Sequence, residues 1–486
     1  YYNQHSYQIS DQMSGNTFVK MPDGSVKHNL MEGPFAFIGH NSGISGDLGL
    51  NWQINENHSL GMKMNYGGML FGNQDIVFED KVYANDELID IVHSASHTTT
   101  PSSHTFTGNI YYDGNINKLH VNFNADFSDS GYKKETNVNE NSQNDPAFIE
   151  NLSDGVARMG AGKLILSYPI WKGQFKIGTE ETYVSAKQEY NSTKTEIPSS
   201  KAKIAENNIS GFAEYALPFK YVQVVAGIRY EHVNFEYTNE CSPKDNINRT
   251  HNNWFPSFNA STKIGPVGIN LGYTTKIKRP RYDQLSTEMQ YNNRFLYQTG
   301  DPTLLNEIQN TLSLNANWRW LTLTGAYEVV DNAIYQLGYP YDDDCTAMVK
   351  YSNAKETVRK LNIYLNASPT VGIWNPRYTV GMEKQYFETT VIDPRESTGT
   401  RVVKRNDPMF FVQANNSFKL KQGWLIDLDY QYTSPFDYVM YKFTKPKHGL
   451  NLAVSKSFLK HDALNVRLAW NDILNKTKEH VCTDYG

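Results

Sequence analysis

The sequence predicts an all-β fold, a transmembrane antiparallel β-barrel with about 19 strands in these 486 residues. Three observations predict it: a period-two alternation of polar and apolar residues, tight turns that pair the strands, and long polar stretches between the pairs. The mean hydropathy is −0.58, and no run approaches the ~18 apolar residues that a membrane helix needs. Low hydropathy is compatible with a barrel, because only every second residue of its wall touches lipid.

The alternation is clearest at residues 118–128, where Asn122 and Asp126 fall on one face and Val121 and Phe123 on the other. A period of two is the mark of a strand with one apolar and one wet face. The same period recurs at 311–318, 424–433 and 464–471. On the wet face, this pattern predicts lumen charges at Lys118, Asp126, Arg229, Glu231, Arg319, Glu328, Asp427, Asp429 and Arg467.

Short and long connections alternate along the chain. Tight turns are predicted near Glu56, Asn115, Lys172, Phe219, Gly265, Arg319, Asn375, Gln422 and His461. Long loops are predicted at 72–102, 131–157, 191–206, 239–252, 281–305 and 394–407. An outer-membrane barrel segregates its connections in this way, with short turns in the periplasm and long extracellular loops. A soluble sandwich has no reason to do so.

The strand count indicates a fragment of one domain that covers residues 1–486. Tyr1–Gln12 is predicted to run outward and Leu30–Gln53 inward, and counting from the turns gives about 19 strands. Bacterial single-chain barrels usually have an even number of strands. We therefore expect one strand after Gly486 and two before Tyr1, for a total of 22 strands.

Aromatic residues cluster beside the predicted short turns. An aromatic ring with a polar tip suits the membrane interface, so these residues are expected to form an interfacial girdle against outer-membrane lipid. The alternative is ordinary strand aromatics. The residues are Tyr168, Trp171, Phe219, Tyr221, Trp318, Trp320, Trp374 and Tyr378.

The composition argues against several other classes of protein. The formal net charge of −5 is mild, so no nucleic-acid partner is implied. No nucleophile, zinc-protease, phosphate-loop or Cys-x-x-Cys motif occurs, and the histidines are scattered, so neither an enzyme nor a metal or cofactor site is predicted. Asp342, Asp343 and Asp344 form the densest acidic cluster, and such a run is more often a solvated turn than a cation site.

All three cysteines fall in predicted outward loops. The external face of a bacterium is oxidising, so one disulfide there is reasonable. Cys241 with Cys345 is the preferred pair, and Cys482 would then remain unpaired. Three unpaired thiols, or pairing with residues outside this fragment, are the alternatives.

The segment 267–307 carries the most specific pattern. An alternating strand runs into Arg279 and Pro280, and a second group of motif residues begins at Gly300. This pattern resembles the barrel of TonB-dependent receptors, especially the outer membrane protein beta-barrel family that is common in Bacteroidetes. The matching positions are Arg279, Pro280, Leu285, Gly300, Asp301, Pro302, Leu304 and Glu307.

The match is incomplete at two places. Asp301 stands where the family usually has Asn, and Leu305–Asn306 replace a Lys-Pro pair. A second resemblance lies at residues 471–475, whose sequence is similar to the family's Asp-Ile-Phe-Asn stretch near the last strands.

The resemblance implies energised uptake of a scarce ligand. In such receptors an N-terminal plug, which no stretch here resembles, carries the contact with TonB, and a surface lipoprotein or other outer-membrane subunits are further expected partners. The modest loops favour a metal chelate or peptide over a large glycan. The main alternative is a non-transporting barrel that acts as a scaffold or partner subunit, and a passive porin is a weaker one.

Overall fold

The computed structural model describes residues 2–21, 23–294, 296–341, 347–459, 461 and 463–484. In these residues the chain is almost entirely extended. Numbered in chain order, the strands are β1 (Tyr2–Lys20), β2 (Val26–Asn55), β3 (His58–Ala84), β4 (Glu87–Ile116), β5 (Leu119–Asn141), β6 (Ala147–Ile170), β7 (Gly173–Ser192), β8 (Ser200–Pro218), β9 (Val222–Asn239), β10 (Ile247–Ile264), β11 (Val267–Lys278), β12 (Gln290–Asn293), β13 (Leu296–Thr299), β14 (Glu307–Trp318), β15 (Leu321–Asp331), β16 (Ile334–Pro340), β17 (Ala347–Asn353), β18 (Val358–Ala367), β19 (Trp374–Ile392), β20 (Thr400–Arg405), β21 (Met409–Lys419), β22 (Trp424–Thr433), β23 (Phe436–Tyr438), β24 (Tyr441–Phe443), β25 (Lys447–Phe458), β26 (Leu464–Trp470) and β27 (Val481–Thr483).

Most of these strands form one wall. The largest sheet has 20 strands, and all except β20 follow one another along the chain as antiparallel neighbours. The predicted number of about 19 wall strands is therefore confirmed. Within the described residues, the short helix α1 (Tyr282–Leu285) and the 3₁₀ turns Pro243–Asp245 and Lys421–Gly423 interrupt the extended chain. No helix in the described ranges is long and apolar enough to span a bilayer.

The two faces of the wall differ as the alternation predicts. In β14 the apolar Leu312 and Leu314 are 49% and 41% exposed, whereas the polar side chains between them lie on the opposite face. So much exposed apolar surface is stable against lipid and not against water. The same exposed face continues in other strands at Leu50, Ile110, Phe123, Ile209, Ile363, Leu428 and Val466. The wall is that of a transmembrane barrel.

Polar side chains pair with one another on the inward face. Asn109 donates to Asp126 over 2.7 Å, and Arg467 lies 3.4 Å from Asp427. Two of the predicted lumen charges are placed differently, because Lys118 and Arg319 lie in turns and not on the wall. Alternation assigns a face only inside a strand, and both residues come just after a strand has ended.

All nine predicted short turns are present at one end of the wall. Several use a residue with positive φ, including Asn117 at 55°, Gly265 at 57° and Arg319 at 52°. Positive φ at a two-residue turn matches the right-handed twist of the paired strands. The turn predicted near Asn375 is displaced, since β19 begins at Trp374 and the connection contains Gly372.

At the other end the strands are longer than predicted. The stretch 72–102 is not a loop, because β3 and β4 continue through it and meet at a tight turn at Asn85 and Asp86. The stretch 131–157 is likewise mostly paired strand. Above the membrane both faces of a strand meet water, so polar composition there does not end the ladder.

Two of the outer loops fold into a small sheet of their own. Its strands lie in the order β12-β13-β17-β16, with a parallel pairing between β13 and β17. One side packs on the inner face of β5–β7 near their outer ends, where Tyr291 and Tyr297 join Tyr190 in an apolar cluster. The other side reaches β19, where Tyr335 stacks edge-on against Phe387. The small sheet therefore connects two distant parts of the wall across the interior.

A third sheet of β23, β24 and β27 completes the outer end. At the same end, the connection between β19 and β20 contacts the first strand of the wall. The Arg395 guanidinium, in the β19–β20 connection, lies 3.9 Å from the ring centroid of Phe18 in the first strand. Asp393 anchors this connection through ion pairs with Arg395 and Arg401, at 2.7 and 2.6 Å.

Candidate functional site

The segment between β11 and β14 folds into the interior and carries the motif residues. Leu285, at the end of α1, and Leu304 are 2% and 1% exposed. Both belong to one apolar cluster with Phe235 and Tyr237 from the inner face of β9. The two motif leucines therefore fasten both ends of this segment to the wall.

Arg279 connects the start of the segment to buried carboxylates on the wall. Its guanidinium lies 3.1 Å from Glu206 and 2.9 Å from Glu231, and Glu231 is only 4% exposed. Arg229 lies 2.8 Å from Glu231 and 3.1 Å from Glu180, which continues the network along the inner face. A buried carboxylate needs such partners, because unpaired charge is costly to bury.

Gly300 and Asp301 form the turn that returns the segment toward the wall. The Gly300 amide donates to the Ser286 carbonyl, 2.9 Å, and the Asp301 amide to the Gln284 carbonyl, 2.6 Å. A Cβ at position 300 would lie 2.4 Å from both carbonyl oxygens, so only glycine fits. The Asp301 carboxylate lies 3.0 Å from Lys350 on β17, an ion pair that the family's usual Asn could not form.

The end of the motif is held in a similar way. The Glu307 carboxylate accepts a hydrogen bond from the Ile334 amide, 2.7 Å, and lies 3.0 Å from Lys278. Pro302 is buried. Arg249 donates to the Leu304 carbonyl over 2.6 Å. The structure thus brings the motif residues together as anchors of an inward-folded segment.

Two cavities flank this segment. The first, about 270 Å³, lies under Arg279, Pro280 and Leu285 and is lined mainly by the packed groups described above. The second, about 280 Å³, lies between the segment and the inner faces of β5, β6 and β7. Its lining is polar and consists of Tyr132, Lys134, Ser153, Gln188, Asp283, Ser286, Glu288, Gln290, Gln298, Thr299, Gly300 and Tyr351.

Glu288 is the central acidic group of the second cavity, called here the Glu288 cavity. Burial raises the pKa of its carboxyl to about 7, against the opposing effect of the Lys134 ammonium. Ser153 Oγ donates to Glu288 Oε2 over 3.5 Å, a weak contact. A carboxyl with a pKa this far above its usual range, inside a cavity, marks a candidate site.

No sequence pattern indicates this cavity. Glu288 lies in a stretch that was predicted as a loop, and Lys134 lies in another, so nothing in the spacing connected them. A loop that folds back over the wall brings them together through tertiary contacts. In the described part of the chain, no group of three or more His, Cys, Asp or Glu residues could hold a metal ion.

The predicted disulfide stays a prediction. Cys241 and Cys482 are both exposed, whereas Cys345 and the cluster Asp342–Asp344 lie outside the described residues.

The predicted girdle residues lie beside the short turns, and Trp171 and Tyr221 are 75% and 72% exposed.

A wall of this size, apolar outside and polar inside, with short turns at one end and inward-folded loops at the other, defines an outer-membrane β-barrel. Residues 113–486 match the model of the outer membrane protein beta-barrel family, and the chain belongs to that family. The predicted family and location in the bacterial outer membrane are confirmed. An origin in Bacteroidetes, which the resemblance to a family common there implies, stays a prediction.

Solved structures with the same fold are receptors and transporters. The copper transporter OprC superposes with a TM-score of 0.62 at 11% identity, over 99% of this chain and 78% of its own. The siderophore receptor PirA from Pseudomonas aeruginosa gives 0.53 at 12% identity, over 97% and 79%. FpvA from P. aeruginosa, bound to a heterologous pyoverdine, gives 0.58 at 10% identity, over 97% and 67%.

At these identities the likeness establishes the fold and says nothing of the ligand of this chain. No curated protein matches the sequence.

Proposed function

We propose that this chain is the barrel of a TonB-dependent outer-membrane receptor that imports a small, scarce ligand. The number of wall strands carries the proposal. Passive porins close with about 16–18 strands, whereas plugged outer-membrane transporters use about 22. The 19 strands that follow one another here already exceed the porin range.

The interior supports the same reading. The small sheet and the segment that carries the motif fold inward at the outer end and pack on the inner face of the wall. A porin needs an open aqueous path, whereas a receptor needs a surface that contacts its ligand before transport. The solved structures with this fold include one described as a copper transporter and one described as a siderophore receptor.

Gene deletion in the native host tests this proposal. Strains lacking this gene, lacking TonB, or lacking both would be compared on defined media with a copper chelate, a ferric siderophore, heme or dipeptides as the limiting nutrient. We expect the same growth defect on the same nutrient in all three strains. A defect that appears without the gene but not without TonB would rule out energised uptake.

A second candidate function is that of a partner subunit in an outer-membrane assembly. Ile89, Ile91 and Phe148 are exposed on the outer ends of β4 and β6, above the level of the lipid, and Phe148 is 62% exposed. Apolar side chains in water often mark a protein contact. Affinity purification of the native protein, followed by the same purification of a Phe148→Ser variant, would test it. A surface lipoprotein that remains bound to the variant would argue against this contact.

A further inference from the structure

We propose that the Glu288 cavity binds a small zwitterion, an α-amino acid or a short peptide, with Glu288 receiving its ammonium group and Lys134 its carboxylate. This inference rests on the proposed uptake function and names the chemical class of the ligand. Three observations support the inference: the position of the cavity, the opposite charges of Glu288 and Lys134, and the Gln188 amide oxygen, which has no hydrogen-bond partner.

The cavity lies where an incoming ligand would pass. Lys134, Ser153 and Gln188 stand on the inner faces of β5, β6 and β7, and the inward-folded segment supplies Glu288. Lys134 lies well beyond the roughly 9–11 residues with which a strand crosses the membrane. The cavity is therefore inside the barrel and above the lipid, near the outer end.

The acidic side of the cavity suits an ammonium group. In the described part of the chain no Lys or Arg nitrogen lies within 4.0 Å of the Glu288 carboxylate. Gln188 Oε1, in the same lining, is buried and has no hydrogen-bond partner. A primary ammonium has three donors, so it could satisfy Glu288 and Gln188 together. An unpaired acceptor in a buried site favours the ligand that supplies the missing donor.

The basic side of the cavity suits a carboxylate. The Lys134 side chain is exposed to the interior, and in the described residues it forms no ion pair. The other acid of the lining, Asp283, is already paired with Arg281 at 2.8 Å. One available cation thus faces one available anion, with amide and hydroxyl side chains between them. A volume of about 280 Å³ suits a molecule of one or two amino-acid residues.

Chemically blocked dipeptides test the two charges separately. The probes are alanyl-alanine, its N-acetyl form and its C-terminal amide, with binding to the purified full-length protein measured by calorimetry. We expect the wild-type protein to bind the zwitterion roughly tenfold or more tightly than either blocked form. Equal binding of all three, or binding of none, would overturn the proposal. This arm needs no variant.

Two variants assign each charge to its residue. Glu288→Gln is expected to abolish the preference over the N-acetyl form, and Lys134→Gln the preference over the amide. Lys133→Gln and Glu135→Gln are matched controls, because those neighbours point to the opposite face of β5 and pair with each other at 3.0 Å. If Glu288→Gln and Lys134→Gln keep the wild-type preferences, the assignment is wrong.

The binding assay does not involve TonB, so the two proposals can fail separately. If no zwitterion binds but the growth defect still requires TonB, the uptake function stands and the ligand class falls. If the dipeptide binds with the expected preferences but growth does not depend on TonB, the barrel has the site and lacks energised transport.

Discussion

Single residues decide how the inward-folded segment is shaped, and Gly300 is the clearest example. A methyl group at this position would meet two carbonyl oxygens at 2.4 Å. We expect Gly300→Ala to destabilise the segment locally by about 1–3 kcal/mol through overpacking. Faster proteolysis between residues 281 and 306 of the purified barrel would show it. Gly325→Ala is the control, because a Cβ there meets nothing within 4 Å.

The stability of the inward-folded segment should depend on pH through Glu288. Burial raises the pKa of its carboxyl to about 7, so the folded segment binds a proton more tightly than the unfolded chain does. Stability should therefore increase as the pH falls from 8 through 7 toward 5. The Lys134 ammonium lowers the pKa of Glu288 and so acts against the effect of burial. The other titratable side chains of the cavity are Tyr132, Asp283 and Tyr351.

Protease resistance of the segment at pH 8 and pH 5.5, compared between the wild type and Glu288→Gln, measures this effect. The variant should lose the gain at low pH. An equal gain in both proteins would mean that another group is responsible.

At the scale of elements, buried ion pairs hold the segment more firmly than exposed ones. Arg279 bridges Glu206 and the buried Glu231. Removing it leaves the largely buried Glu206 without an ion pair and Glu231 with Arg229 alone. We expect Arg279→Met to cost about 3–5 kcal/mol of local stability. Arg281→Met, two residues away, should cost less than about 1 kcal/mol, because its pair with Asp283 is exposed. Comparable proteolysis rates for the two variants would contradict this ranking.

Neighbouring residues of one wall strand should differ in how well they tolerate a charged substitution. Leu314 faces lipid near the middle of β14, and Ser313 faces the interior. Leu314→Lys should destabilise the barrel by about 2–4 kcal/mol in urea unfolding from lipid vesicles. Ser313→Lys should cost far less, since its ammonium can stay hydrated inside. A larger loss for Ser313→Lys would mean that the faces are assigned the wrong way round.

The orientation of the whole molecule can be read on living cells. In a background with all three native cysteines replaced by serine, Asn85→Cys places a thiol at an outer tip, and Asn117→Cys places one at a short turn. A membrane-impermeant maleimide should label position 85 on intact cells and position 117 only after lysis. Labelling in the reverse order would invert the proposed topology.

Much of the wall was predictable from the sequence because its physics is local. The faces of Asn122 and Phe123 follow from a two-residue period, and the turn at Gly265 from the tight connection between two strands. The family motif from Arg279 to Glu307 distinguished this segment from the other predicted loops but did not indicate that it folds inward. The lengths of the strands above the membrane were predicted poorly, because polar residues at 72–102 were interpreted as a loop.

Local sequence patterns are sufficient to predict a lipid-embedded β wall with short turns at one end, since alternation and turn chemistry act between near neighbours. The inward fold of the outer loops depends on long-range contacts, and so does the cavity that Glu288, Lys134 and Gln188 line. These residues lie far apart in the sequence and meet because the segment after β11 packs across β5–β9. Contacts of that kind depend on how surfaces from distant parts of the chain pack together, and a local sequence pattern carries no information about this packing.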